Sequence, residues 1–104
     1  MVMTILEAHV GAENWIAFQE DYKKRTIQLP SQMTQTFLLQ DVTDQTLWRI
    51  ISVWKSRAAL DEMRNSGETP TGVLMFRNVG SEPKLSIFNV SASAPLKFSV
   101  FAQG

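Results

Sequence analysis

The chain contains no cysteine. Disulfides, thiolate nucleophiles and cysteine-based metal sites are thereby excluded. It holds one histidine and one tyrosine, so an HExxH pair or any other histidine-rich metal site is ruled out as well. Net charge is also missing, because ten basic residues balance ten acidic ones. Nucleic-acid surfaces rest on clustered Lys and Arg that displace counterions. The only dense basic run here, Lys23-Lys24-Arg25, follows Glu20 and Asp21. On a helix Glu20 meets Lys24 and Asp21 meets Arg25 at a spacing of four, which makes the run a solvated, salt-bridged face. No apolar run approaches the roughly 20 residues of a membrane span. The first residues, MVMTILEAHV, lack the basic lead and long apolar block of a signal peptide. The expectation is a cytoplasmic protein without nucleic-acid or membrane partners.

What remains is an ordinary soluble composition, 44% hydrophobic and 19% charged over 104 residues. That length suits one domain, residues 1–104, with a modest core that an oligomer could extend. Met3–Val10 alternates as a strand: Met3, Ile5, Glu7 and His9 lie on one face, Thr4, Leu6, Ala8 and Val10 on the other. A helix is expected from about Ala12 to Gln28, with Trp15, Phe18 and Tyr22 as its buried stripe. Leu29-Pro30 ends it, since proline disfavours helix in the residue before it.

Met33–Asp41 reads as a strand with Phe37, Leu38 and Leu39 buried on both sides, and Thr46–Lys55 as its hairpin partner. In that second strand Leu47, Ile51 and Val53 share a face with Arg49, while Trp48, Ile50 and Trp54 share the other with Ser52. Ser56 can cap a helix over Arg57–Asn65 with Leu60 and Met63 inward, and Gly67 stops it. Thr69-Pro70 then reads as an N-cap followed by a first-turn proline, opening a short helix striped by Val73, Phe76 and Val79. Lys84–Ser91 is the last strand. Residues 93–104 form a tail whose LKFSVF hexad could add an edge strand. The order β-α-β-β-α-(α)-β implies an α+β fold: a ferredoxin-like antiparallel sheet with helices on one face. Large apolar side chains on both faces of Leu47–Trp54 then call for a partner on the open face, and a homodimer is the simplest.

This order, the strand ending Val53-Trp54-Lys55-Ser56, and the Phe76-Arg77-Asn78-Val79-Gly80 segment before Glu82-Pro83 resemble the antibiotic-biosynthesis-monooxygenase-like superfamily of dimeric α+β barrels. The resemblance covers roughly Met3 to Ser91. It implies a homodimer and a small aromatic ligand, phenolic or quinol-like, oxygenated without metal or other cofactor. The haem-degrading branch is similar around Val53–Ser56, but its helix tryptophan and haem-ligating histidine fall near Met63 and Val73 here. Its first-strand asparagine is also missing, since this strand reads Glu7-Ala8-His9.

Cofactor-free oxygenation needs an electron-rich, deprotonated substrate in an apolar cleft with few polar groups. His9, the one histidine, is the candidate catalytic base; a surface or interface histidine is the plainer alternative. Trp54 and Phe76 would shape the substrate site, and Asn14 and Asn89 could orient a substrate oxygen. Arg49, a charge within an apolar strand, could bind a ligand oxyanion or pair with Glu7 or Asp41 across the sheet. Met33, Met63 and Met75 could line a cavity, although methionine commonly just fills gaps. Tyr22 belongs to the buried stripe with its hydroxyl satisfied. A non-catalytic ligand-binding module or scaffold of the same fold is the rival reading, since no strong catalytic motif is present.

Overall fold

Two-residue alternation sets the sheet, broken by a register shift between Met33 and Gln35 in the second strand and by burial of Val53 on the other face of the third. The structure, a computed structural model, describes residues 1–95; the tail hexad at 96–101 lies outside them. The described strands are β1 (Val2–His9), β2 (Met33–Gln40), β3 (Leu47–Trp54) and β4 (Lys84–Asn89). They form a four-stranded sheet in the order β2-β3-β1-β4, every neighbouring pair antiparallel. Helices α1 (Trp15–Arg25), α2 (Arg57–Arg64) and α3 (Thr71–Asn78) connect them. This is the ferredoxin-like α+β arrangement, and the central strands are the two with the strongest alternation. Val2, Thr4 and Leu6 of β1 are buried, as are Trp48, Ile50, Ser52 and Trp54 of β3. Those residues face the helices. No helix among the described residues is long and apolar enough to cross a membrane.

Helix boundaries follow local chemistry. A 3₁₀ turn, Ala12–Asn14, precedes α1. The helix ends at Arg25 rather than near Gln28, because Thr26 donates both its hydroxyl (2.7 Å) and its N–H (3.0 Å) to the Tyr22 carbonyl and closes the last turn. Glu20 meets Lys23 (3.3 Å), not Lys24, while Asp21 does meet Arg25 (2.7 Å); on a helix, residues three and four apart are both neighbours. Ser56 caps α2 by accepting the Ala59 N–H at 3.0 Å. The start of α3 lies one residue later than expected. Pro70, not Thr69, is the cap, and its carbonyl accepts the Leu74 N–H (3.1 Å). Gly67 and Gly80 sit at φ +84° and +78°, the left-handed region that glycine tolerates best.

The larger of two core clusters gathers at one end of the helix–sheet layer, and Val2, Trp54 and Leu60 form the smaller one. Phe18 of α1 touches Trp48 of β3 and Phe76 of α3, with ring centroids 5.6 and 4.9 Å apart. Phe18 and Phe76 are fully buried. Truncating either to alanine would cost about 3–5 kcal/mol. Among the described residues the opposite sheet face carries no helix. There Phe37, Leu39 and Phe88 stay 42%, 39% and 50% exposed. Phe37 and Leu39, expected to be buried, are exposed in the single subunit because β2 is an edge strand and their parity points them away from the helices. Leu38 alone of that trio packs against the core.

Candidate functional site

Side-chain volume decides where the interior stays open. At one end Trp48, Phe18 and Phe76 fill the space between sheet and helices. At the other end, the helix-facing positions of the sheet hold Thr4, Thr36 and Ser52, which are short. A cavity of about 680 Å³ opens above them, within the range that small-molecule sites occupy. Trp54, Leu60, Met63, Val73 and Met75 contribute apolar wall. Gly72, at the start of α3, also lines it; a Cβ there would come within 2.7 Å of the Leu6 side chain. The missing side chain lets the helix approach the sheet.

The floor is a row of hydroxyls. Register places Ser52 directly between Thr4 on β1 and Thr36 on β2. Directly opposed residues on one face have Cβ atoms roughly 5 Å apart. Thr4 and Ser52 are 7% and 8% exposed. The Trp54 indole N–H donates to the Thr4 hydroxyl (3.0 Å). The Thr36 hydroxyl donates to the Ile51 carbonyl (2.9 Å) and accepts the Tyr22 hydroxyl (3.4 Å). Tyr22, read from sequence as core, thus forms part of the cavity wall. Ser52 makes no side-chain hydrogen bond among the described residues.

Charges stand at the rim. Arg77 grips Glu82 with two bonds of 3.0 Å. That hydrogen bonding holds the Glu82 carboxyl below its ordinary range and raises the guanidinium. Arg25 is paired with Asp21. Arg64 has no carboxylate within ion-pair distance among the described residues. No group of three or more histidine, aspartate or glutamate side chains among those residues is arranged to hold a metal ion.

Of the six residues expected to carry the chemistry or hold the substrate (His9, Asn14, Arg49, Trp54, Phe76 and Asn89), the cavity takes one. Trp54 is in its wall. His9 is not. It ends β1 on the open-face parity, with a side chain 67% exposed. Its Nδ1 lies 2.9 Å from the Thr46 hydroxyl and 3.7 Å from Asp44, and a shallow separate recess surrounds it with Gly80, Ser81 and Glu82. The position after Ala8 has the wrong parity to reach the helix side. Arg49 shares that parity. It donates to Glu7 (2.7 Å) and to Asp41 (3.1 Å), so its charge is met across the sheet. Phe76 is sealed in the core rather than exposed to the cavity. Asn14 closes the 3₁₀ turn and Asn89 ends β4; neither lines the cavity. Met33, Met63 and Met75 do line it.

Thr4, Ser52 and Thr36 escaped sequence reading as site residues. Their signal was present: hydroxyl residues at the apolar parity of their strands. Only the pairing register shows that the three lie side by side.

A comparison with curated proteins returns no match. Solved structures share the fold at low identity. SnoaB, a cofactor-independent oxygenase from Streptomyces nogalater, superposes with a TM-score of 0.65 at 18% identity, covering 90% of this chain and 96% of that one. The heme-degrader MhuD from Mycobacterium tuberculosis gives 0.69 at 16%, covering 91% and 100%. A Deinococcus radiodurans protein carrying an antibiotic biosynthesis monooxygenase description gives 0.70 at 9%, covering 93% and 99%. The family model for antibiotic biosynthesis monooxygenase matches residues 1–70, which span β1 through α2, including Thr4, Ser52 and Trp54. The chain belongs to the antibiotic biosynthesis monooxygenase family.

Proposed function

We propose that the protein is a cofactor-independent monooxygenase acting on a small phenolic or quinol-like compound held between sheet and helices. The observation that carries this reading is the apolar cavity of about 680 Å³ floored by hydroxyls. Such a space holds a planar ring system, keeps bulk water from a carbanion, and offers hydrogen bonds to a ring oxygen. The chemistry needs no redox group. When an anthrone-type CH₂ becomes C=O, the substrate supplies all four electrons that O₂ needs. One oxygen atom enters the product and the other leaves as water. The fold likeness to SnoaB, described as a cofactor-independent oxygenase, supports the same direction.

The cavity floor carries hydroxyls and no carboxylate or imidazole. That favours a second reading, a module that binds such a ligand without turning it over. Oxygen uptake measured with a panel of quinols and anthrones separates the two. Uptake with no added cofactor, weakened in a Trp54→Ala variant, is the expected result. Binding without uptake across the panel would replace the first reading with the second. Haem degradation receives less support, because the one histidine in the chain, His9, stands outside the cavity; a Soret shift on adding haem would reverse that judgement.

A homodimer belongs to the same proposal. Phe37, Leu39 and Phe88 cluster on the helix-free sheet face with Met3, Ile5 and Ile51, a contiguous apolar surface that a second copy would cover.

A further inference from the structure

Two of the three floor hydroxyls have a hydrogen left to give. Each hydroxyl carries one donor and two acceptor lone pairs. At Thr36 the donor is spent on the Ile51 carbonyl, and Tyr22 takes up an acceptor position. At Thr4 the bond runs the other way: Trp54 donates to it. The Trp54 N–H therefore occupies a lone pair and leaves the Thr4 O–H free. Ser52, its direct partner across the strands, has no side-chain hydrogen bond among the described residues. Both residues are more than nine-tenths buried and both line the cavity. Leu6, Ile50, Leu60 and Met63 line the same cavity without a side-chain oxygen or nitrogen, and no hydrogen bond among the described residues takes either proton.

We infer that Thr4 and Ser52 form a two-donor oxyanion site that receives the ionised oxygen of a phenolic or enolic ligand. An oxygen seated between two hydroxyls whose Cβ atoms stand roughly 5 Å apart can accept from both at ordinary hydrogen-bond length. Two donors aimed at one point in a water-poor cavity stabilise charge there more strongly than they would in water. A buried hydroxyl left without an acceptor costs free energy, so the vacant pair also penalises apolar occupants that present no oxygen. Trp54 acts on this pair as a positioning residue through its bond to Thr4. The inference rests on the cavity being a ligand site, and it narrows the ligand class. Among the described residues this row supplies stabilisation for an anion, and the two carboxylates that line the cavity, Glu68 and the Arg77-paired Glu82, are not part of it. The suitable ligand ionises readily by itself, as an acidic phenol or a stabilised enol does, and the site binds its anion in preference to the neutral form.

The test compares two probes of nearly the same shape, para-nitrophenol, which ionises to a coloured anion, and para-nitroanisole, which cannot ionise. Binding of each is measured calorimetrically above the phenol's ionisation range, on wild type, Ser52→Ala, Thr4→Val and Thr4→Ser. A hydrogen bond to a charged group corresponds to about a tenfold or larger change in affinity. Ser52→Ala and Thr4→Val should each weaken phenolate binding about tenfold and leave para-nitroanisole within about twofold. Thr4→Ser keeps the hydroxyl and should restore wild-type preference, which separates lost donation from disturbed packing. If both probes bind and the variants shift them equally or not at all, the donor pair is refuted while the cavity remains a ligand site. If neither probe binds the wild type, the cavity reading fails and the inference falls with it.

Discussion

The indole N–H of Trp54 reaches across the central strand pair to the Thr4 hydroxyl, 3.0 Å away and 50 residues distant in sequence. The bond is buried and diagonal, since Trp54 stands opposite Val2 and Thr4 opposite Ser52. It ties the strand end that launches α2 to the first strand, and it faces the cavity on the helix side. A double-mutant cycle with Trp54→Phe and Thr4→Val should give a coupling free energy of about 1 kcal/mol in urea denaturation. Strictly additive effects would show that the bond contributes nothing.

Acid stability should depend on Asp41. The Asp44 N–H, then the Arg49 guanidinium and the Thr43 N–H, hold its carboxyl below the ordinary carboxylate range. A carboxyl depressed in the folded state stabilises above its unfolded value, and that contribution fades as pH falls through the folded value. Wild type should therefore lose stability over the acid range, and Asp41→Asn should start lower and lose less across the same interval. Denaturation midpoints measured from neutral to acid pH check this. Parallel curves for the two proteins would contradict it.

Gly72→Ala tests how the cavity is kept open. The new methyl would press on the Leu6 Cδ1, the flexible end of a side chain, so Leu6 can turn aside. Alanine also improves helix propensity by up to about 1 kcal/mol. Thermal stability should change by less than about 1 kcal/mol. Binding of a bulky ring such as alpha-naphthol should nonetheless fall, because Leu6 and Gly72 both line the cavity. Unchanged binding would mean that the ligand sits elsewhere.

Assembly can be read by light scattering. The wild type should show dimer mass, and Phe37→Lys together with Phe88→Lys should show monomer mass with the helix-side cavity intact. Both side chains are on the exposed sheet face, 42% and 50% accessible, so a lysine there strains no packing within one subunit. A wild type that stays monomeric at high concentration would remove the dimer from the proposal.

Much of the fold was written in short-range pattern. Two-residue alternation in Val2–His9 and Leu47–Trp54, the Ser56 cap and the stops at Gly67 and Gly80 are local effects of backbone geometry and hydrogen bonding. They suffice for element order, for fold class, and for the presence of two apolar sheet faces. Even the sharing of a face by Trp48, Ile50, Ser52 and Trp54 follows from period two.

The site itself required the tertiary structure. Alternation says which residues share a face, but not which face the helices cover or which strands lie side by side. Those depend on how α1 and α3 pack over the sheet and on the pairing of β1, β3 and β2. That packing put His9 and Arg49 on the helix-free side, buried Phe76 in the core, and left Trp54 at the cavity. It also aligned Thr4, Ser52 and Thr36, residues spread over 48 positions in the chain, into one row. Composition determined that there is no cysteine and one histidine to work with. The register of the sheet decided that the polar groups facing the cavity floor are hydroxyls.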